Sequence, residues 1–279
     1  MKFLDFLQGL PIPILLAATL CLAVVLSLVI AVLVRLSVRL SGVDPAKPLP
    51  IQDLVPVTSI FFALMVAFSA SGIWNDWLQA RNAVQREALA LENVLALAEG
   101  LSADRAAKVK AGVIAYAKAA AEHEWPAMAR QADMDDPLYA FSDPILVGLI
   151  AEVAREDVTR GSSPISAMLL PQIFEVRGAR LARLTLAHSG LSGVQWFALI
   201  ILAASALVVT ALIHNNEPGR QALAMSLYAV AAAATFFVIL AHDRPFIGVI
   251  SVSAKPLLQV AAKTNAATPR LIGSQSEAR

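Results

Sequence analysis

Chemistry needs ionisable or nucleophilic side chains at workable spacing. The four histidines of this 279-residue chain, His123, His188, His214 and His242, are too scattered to supply an H-x-x-x-H metal pair. His123-Glu124-Trp125-Pro126 has the look of half a zinc helix, yet with no second histidine it reads as an ordinary helix end closed by proline. Asp133, Asp135 and Asp136 could offer oxygens to calcium, but they lack the glycine and the terminal glutamate of a calcium loop and read as a solvated turn. No glycine-rich loop precedes a strand-helix unit, and the single cysteine, Cys21, excludes an internal disulfide or a thiolate zinc site within one chain. No catalytic constellation can be assembled, so neither an enzyme nor a cofactor or metal site is expected.

Two groups of residues remain. Phe61, Met65 and Phe68 fall at i, i+4 and i+7, a single stripe of bulky apolar side chains, with Ser69 and Ser71 close behind. Around the axis of an oligomer such a stripe forms a constriction that gates by dewetting, with the hydroxyls wetting its wider part. A lipid-facing or helix-packing surface is the competing reading. The second group is His242-Asp243-Arg244-Pro245-Phe246-Ile247-Gly248. Here proline ends a helix, Arg244 suits the negative helix C-terminus, and Asp243 can pair with a cation at a junction between membrane and cytoplasm.

The elements that must position these residues are membrane helices. The composition, 58% hydrophobic and 15% charged, is too apolar for an ordinary soluble chain, and 22 Lys+Arg against 21 Asp+Glu leave no basic field for nucleic acid. No charge interrupts Asp5 to Arg35, and further uncharged windows run over 54–75, 194–213 and 221–241. Each approaches or exceeds the roughly 20 residues that cross a bilayer, which predicts four spans. The first is too long for a signal-peptide core and no small-residue cleavage site follows it. Turn residues at 214–220 make the third and fourth spans an antiparallel pair. Trp74, Trp77 and Trp196 stand where aromatic rings mark the headgroup level. Lys and Arg near the spans concentrate on the side of the termini and of residues 76–188, which makes that side cytoplasmic. The first span taken alone, with Arg35 and Arg39 after it, points the other way.

Residues 76–188 read as a helical domain with twelve Lys and Arg against fifteen Asp and Glu, mildly acidic. Helical spacing of Trp77, Val84, Ala88, Leu91 and Leu95 carries the second span on as one helix to about Glu99, with Gly100 as its stop. Ser102 opens a helix that buries Val109, Val113 and Tyr116 and ends at Pro126. Asp143 before Pro144 and Ser163 before Pro164 look like capped starts, and the last helix reaches His188 before Gly190. The expected class is an all-α integral membrane protein. Four transmembrane helices divide as 1–75 and 191–250, with the helical cytoplasmic domain 76–190 inserted between helices 2 and 3, and 251–279 forms a cytoplasmic tail.

Asp243-Arg244-Pro245-Phe246 with Gly248 and Val252-Ser253, Glu124-Trp125-Pro126 after Tyr116, and Phe62-Ala63-Leu64 to Phe68 leading to Arg86-Glu87-Ala88 together resemble the bacterial bestrophin-like family over about residues 50–262. The resemblance implies four membrane helices with a helical insertion. By more distant similarity to true bestrophins it implies a pentameric ion channel in the bacterial inner membrane, lined by the second helix and slightly favouring anions. No calcium clasp is recognisable. The expected partners are the lipid bilayer, further copies of the chain as a homo-oligomer, and small inorganic ions. A non-conducting membrane scaffold or signalling adaptor is the alternative, motivated by spans free of charge and a large soluble domain.

Overall fold

The structure is a computed structural model that describes residues 9–41, 54–160, 164–248 and 250–267, and every regular element among them is helical. In chain order the elements are α1 (Ile12–Leu40), α2 (Leu54–Ala98), α3 (Ala103–Ala119), a π-helical turn (Ala120–Glu124), α4 (Trp125–Ala129) and a 3-10 turn (Pro137–Ala140). There follow α5 (Asp143–Arg160), α6 (Pro164–Ala187), α7 (Gly193–Ile213), α8 (Pro218–His242) and α9 (Lys255–Ala267). The chain divides into two compact units. Ser163 and the charges Lys2, Asp5, Lys47 and Asp53 lie outside the described residues.

The first unit holds α1, α2 up to Asp76, α7 and α8. Their interiors offer no ionisable side chain a partner in water, so the helices bury apolar faces against one another and leave the remaining apolar surface outward, as lipid allows. One cluster joins Leu15, Ile73, Trp196, Leu199, Ile239 and Leu240, and a second joins Ile30, Val34, Val38, Leu207, Ala211 and Met225. A polar staple fixes one end. Arg35 donates twice to Gln221 Oε1, at 2.9 and 2.6 Å, and Gln221 Nε2 donates to the Ala211 carbonyl at 2.7 Å, so α1, α7 and α8 share one hydrogen-bond chain. At the start of α7 the Ser192 and Gln195 side chains cap each other's backbone N–H groups, a capping box directly ahead of the apolar run.

The second unit holds the rest of α2 from Trp77 with α3 to α6, Pro245–Ile247 and α9. Its core is built from Val84, Leu91, Val109, Val113, Leu146, Ile173 and Leu257, among others, all completely or almost completely buried. The long helix expected through Glu99 is present as 45 continuous residues. Two local expectations are corrected. Pro126 does not end its helix: the chain widens into the π-helical turn, which absorbs the missing N–H of proline, and runs on through Ala129. Asp143 does not cap α5 but is its first residue, with its carboxylate on Arg180; the preceding Ser142 hydroxyl is buried without a hydrogen-bond partner.

Among the described residues five helices are long and apolar enough to cross a membrane, one more than the sequence suggests. The additional one, Pro137–Ala154, belongs to the second unit, where Leu146, Leu149 and Val153 are buried in the core.

Gly190 breaks the chain ahead of α7 at φ +146°, and a Cβ there would stand 3.0 Å from the Asp243 carbonyl oxygen and 3.1 Å from the Arg244 guanidinium. The Gly190→Ala variant should therefore lose about 1–3 kcal/mol of stability through backbone strain and crowding. Thermal unfolding in detergent checks this; an unchanged midpoint would contradict it.

Candidate functional site

On α2 the helix period separates an inner from an outer face. Phe62, Met65, Val66 and Ile73 pack into the first unit, Phe62 lying 6.2 Å from the Tyr228 ring and 6.4 Å from the Phe236 ring, centroid to centroid. Val57, Ile60, Phe61, Leu64 and Phe68 are exposed in the single protomer, Phe61 by 57% and Phe68 by 68%. The same outer face continues as Ser71, Asn75, Gln79, Asn82 and Arg86, all exposed. Of the residues singled out from sequence, Phe61, Phe68 and Ser71 thus lie on the outer face. Met65 is half-buried against the helix cluster, and Ser69 is 2% exposed with its hydroxyl unpartnered.

The junction residues anchor backbone. Asp243 is buried and its Oδ1 accepts the Leu191 N–H at 2.7 Å, which ties the end of α8 to the lead-in of α7; Arg244 Nε stands 4.0 Å from Asp243 Oδ2. Gly248 takes φ +82°, open to glycine at little cost. Pro245 and Phe246 belong to the second unit: the Pro245 carbonyl accepts the Val252 N–H at 2.8 Å, and the Phe246 ring meets Trp125 edge-on with 6.0 Å between centroids.

The second unit also contains an ionic cluster that the sequence pattern alone does not announce. Arg183 is wholly buried. It donates from Nε to Glu87 Oε2 at 2.7 Å, and from Nη2 to Glu87 Oε1 at 3.0 Å and Glu124 Oε2 at 2.7 Å. Nη1 rests on Met128 Sδ at 3.5 Å, and the Trp125 ring covers the guanidinium face at 4.4 Å. Arg180 donates to Glu124 Oε1 at 2.8 Å, to Asp143 Oδ1 at 3.1 Å and to the Tyr139 carbonyl at 2.5 Å. The Tyr116 hydroxyl closes the set by donating to Glu87 Oε1 at 2.5 Å. Burial alone would weaken the Arg183 charge, but the Glu87 charge, its hydrogen bonds and Glu124 outweigh this and hold the guanidinium protonated beyond its ordinary range. Burial, then the Glu87 charge, push the Tyr116 phenol well above its usual value and keep it a neutral donor. Every carboxylate here is committed to an arginine, which suits a structural lock and leaves no free base for catalysis. Among the described residues no group of three or more His, Cys, Asp and Glu is placed to hold a metal ion.

Comparison with known proteins follows the same lines. A family model described as a Bestrophin-like domain matches residues 21–257. The chain belongs to the bestrophin-like family. Its fold matches crystal structures of a bacterial bestrophin homolog from Klebsiella pneumoniae. One, of a mutant, aligns with TM-score 0.67 at 14% identity over 91% of this chain and 99% of that one. Another, solved by Zn-SAD phasing, aligns with TM-score 0.66 at 14% identity over 90% and 97%. A search among curated protein sequences finds no match.

In this bestrophin-like chain four of the residues that carry the family resemblance, Glu87, Tyr116, Glu124 and Trp125, converge within the second unit. Glu124 and Glu87 bracket Arg183, Tyr116 holds Glu87, and Trp125 covers Arg183 while its Nε1 donates to the Val252 carbonyl at 3.0 Å. Replacing Arg183 by Met leaves Glu87 buried without a counter-charge and Glu124 with Arg180 alone, and should cost about 3–5 kcal/mol, whereas Tyr116→Phe should cost only about 1–2 kcal/mol. Thermal unfolding of the two variants in one detergent checks the order; Arg183→Met as stable as the parent would contradict the lock.

Proposed function

We propose that this bestrophin-like membrane protein is a subunit of an oligomeric, passive ion channel of the bacterial inner membrane, pentameric by the family resemblance, with the outer face of α2 lining the path. The carrying observation is that face itself: an apolar stretch of Phe61, Leu64 and Phe68 gives way on the same stripe to the hydroxyl and amides of Ser71, Asn75, Gln79 and Asn82. Ser71 and Asn75 fall within the expected span 54–75, where a surface meant only for lipid has no need of polar groups; Gln79 and Asn82 lie beyond it. Phe61 and Phe68 form the constriction with Ser71 beside it, while Met65 and Ser69, packed inward in the protomer, stand behind them, and such a ring controls water rather than coordinating an ion. The slight preference for anions rests on the family resemblance alone, since half-buried Asp76 stands on α2 between Val57 and Asn82.

Four helices cross the bilayer in this reading: α1, the first part of α2, α7 and α8. The Pro137–Ala154 segment stays outside, because Asp143 and Glu152 on it are engaged by Arg180 and Arg105, groups that a hydrocarbon environment excludes. The excess of Lys and Arg on the side of the termini and residues 76–190 supports a cytoplasmic location for them. Exposed Phe174 and Leu181 on one face of α6 favour a second reading, a non-conducting scaffold that binds a protein partner there.

Protein reconstituted in liposomes should pass chloride, potassium or both, and Phe61→Ala or Phe68→Ala should change that flux several-fold without altering the particle. Absence of flux for all common monovalent ions overturns the channel. Particle images separate the readings further: a ring with α2 around an axial opening fits conduction, and a monomer or two-fold dimer fits the scaffold.

A further inference from the structure

Within the first unit, α1, α7 and α8 line a half-open cavity of about 720 Å³. Along α7 its wall runs from Trp196, the fourth residue of that helix, to Leu207. Along α8 it runs from Leu240, near the helix end, back to Ala229, and on α1 it spans Ala18 to Leu26. Eleven residues of helix rise about 16 Å. One leaflet of hydrocarbon, half of a roughly 30 Å core, is about as deep. The cavity therefore begins at one end of the helix bundle and stops near mid-depth, the course of a single lipid chain.

Its chemistry excludes other occupants. The lining is apolar except for Thr19 and Cys21, and the Thr19 hydroxyl is already spent on the Leu16 carbonyl at 2.9 Å, so ordered water would find too few of the two to four polar partners it needs. An ion would find no ligand. A helix of a second copy, about 10 Å across with its side chains, would need well over 1,000 Å³ along that length. An empty space would forfeit dispersion contacts along every wall. The polar groups at the Trp196 end are committed as well: Ser192 and Gln195 cap each other, and Asp243 holds the Leu191 N–H.

We propose that this cavity is a binding site for one hydrocarbon chain of a bilayer phospholipid, entering at the level of Trp196 and Leu240 and recognised by its chain rather than its headgroup. The inference rests on reading α1, α7 and α8 as spans, and not on conduction. Cys21, the only cysteine of the chain, is exposed and lies in the wall, which gives the site its own reporter.

The test uses the full-length oligomer, stripped of lipid in detergent and then given back phosphatidylethanolamine or phosphatidylglycerol with chains of ordinary membrane length. Labelling of Cys21 by N-ethylmaleimide should slow at least five-fold with either lipid, and native mass spectrometry should retain about one lipid per protomer. Ala203→Phe, which fills the cavity, should remove both effects; if that variant does not assemble, Ala229→Leu takes its place. An unchanged Cys21 rate with both lipids, a dependence on one headgroup, or oxidative Cys21–Cys21 cross-links between copies would overturn the proposal. None of these readouts involves ion flux, so a non-conducting protein that keeps its lipid leaves this inference standing while the channel reading falls.

Discussion

A guanidinium sealed from water is tolerable only when its charge and its N–H groups are both answered, and Arg183 imposes that demand on the whole second unit. Glu87 meets it from α2 with two oxygens, and Glu124 meets it from the π-helical turn with one. The turn is needed because a regular helix would meet Pro126 with an unsatisfied ladder; widening the helix at Ala120–Glu124 accommodates the proline and sets Glu124 between Arg183 and Arg180. Tyr116 and Trp125 then fall into place as donor and cover. Trp125 also ties the cluster to the chain that follows α8, through Phe246 and the Val252 carbonyl. Such a cluster adds less to stability than its number of bonds suggests, since desolvation offsets most of the attraction. What it enforces is a single arrangement of four segments, because any other pairing strands a buried charge.

The first unit obeys the opposite constraint. Lipid offers no answer to a charge, so the interiors of its helices are free of ionisable groups and packing relies on alanine-lined contacts and aromatic rings, with Trp196 stacked near Phe236. Its strong polar contacts, Arg35 with Gln221 and the Ala211 carbonyl, and Asp243 with the Leu191 N–H, sit at the helix ends. Two polar groups depart from this economy: Ser69 and Tyr228 bury hydroxyls with no partner. Ser69 lies one residue from Phe68, so the apolar outer face of α2 has a hydroxyl immediately behind it.

The long apolar helices, the continuous α2 and the stop at Gly190 were legible from sequence, because hydropathy, helix period and backbone geometry are local properties. The ionic cluster was not, because its partners are separated by 29 to 96 residues and nothing local states who meets whom. A signal was nevertheless present. Glu87 lies on the apolar stripe of Val84, Ala88 and Leu91, Glu124 follows Tyr116, Ala117 and Ala120 at helical spacing, and Arg180 and Arg183 continue Ile173 and Val176. Charges at core-facing positions on three helices must find one another. Glu124-Trp125-Pro126 was legible only as a helix end, since proline breaks a regular helix and a π-helical turn leaves no mark in local propensity.

The two constraints together narrow how conduction on the proposed path could be controlled. The carboxylates nearest α2's outer face in the second unit are spoken for: Glu87 faces inward to Arg183, and Glu175 is held by Arg86 at 2.6 Å. With charges paired or withdrawn and the span interiors apolar, a permeating ion meets ring faces, a hydroxyl and amides rather than fixed charge. Control then rests on the width of the apolar stretch and whether water can wet it, which a rotation of α2 about its axis would change by turning Phe61 and Phe68 away. The inner-face packing of Phe62, Met65, Val66 and Ile73 is what resists that rotation, so the same helix–helix contacts that hold the first unit together also hold the proposed gate in its register.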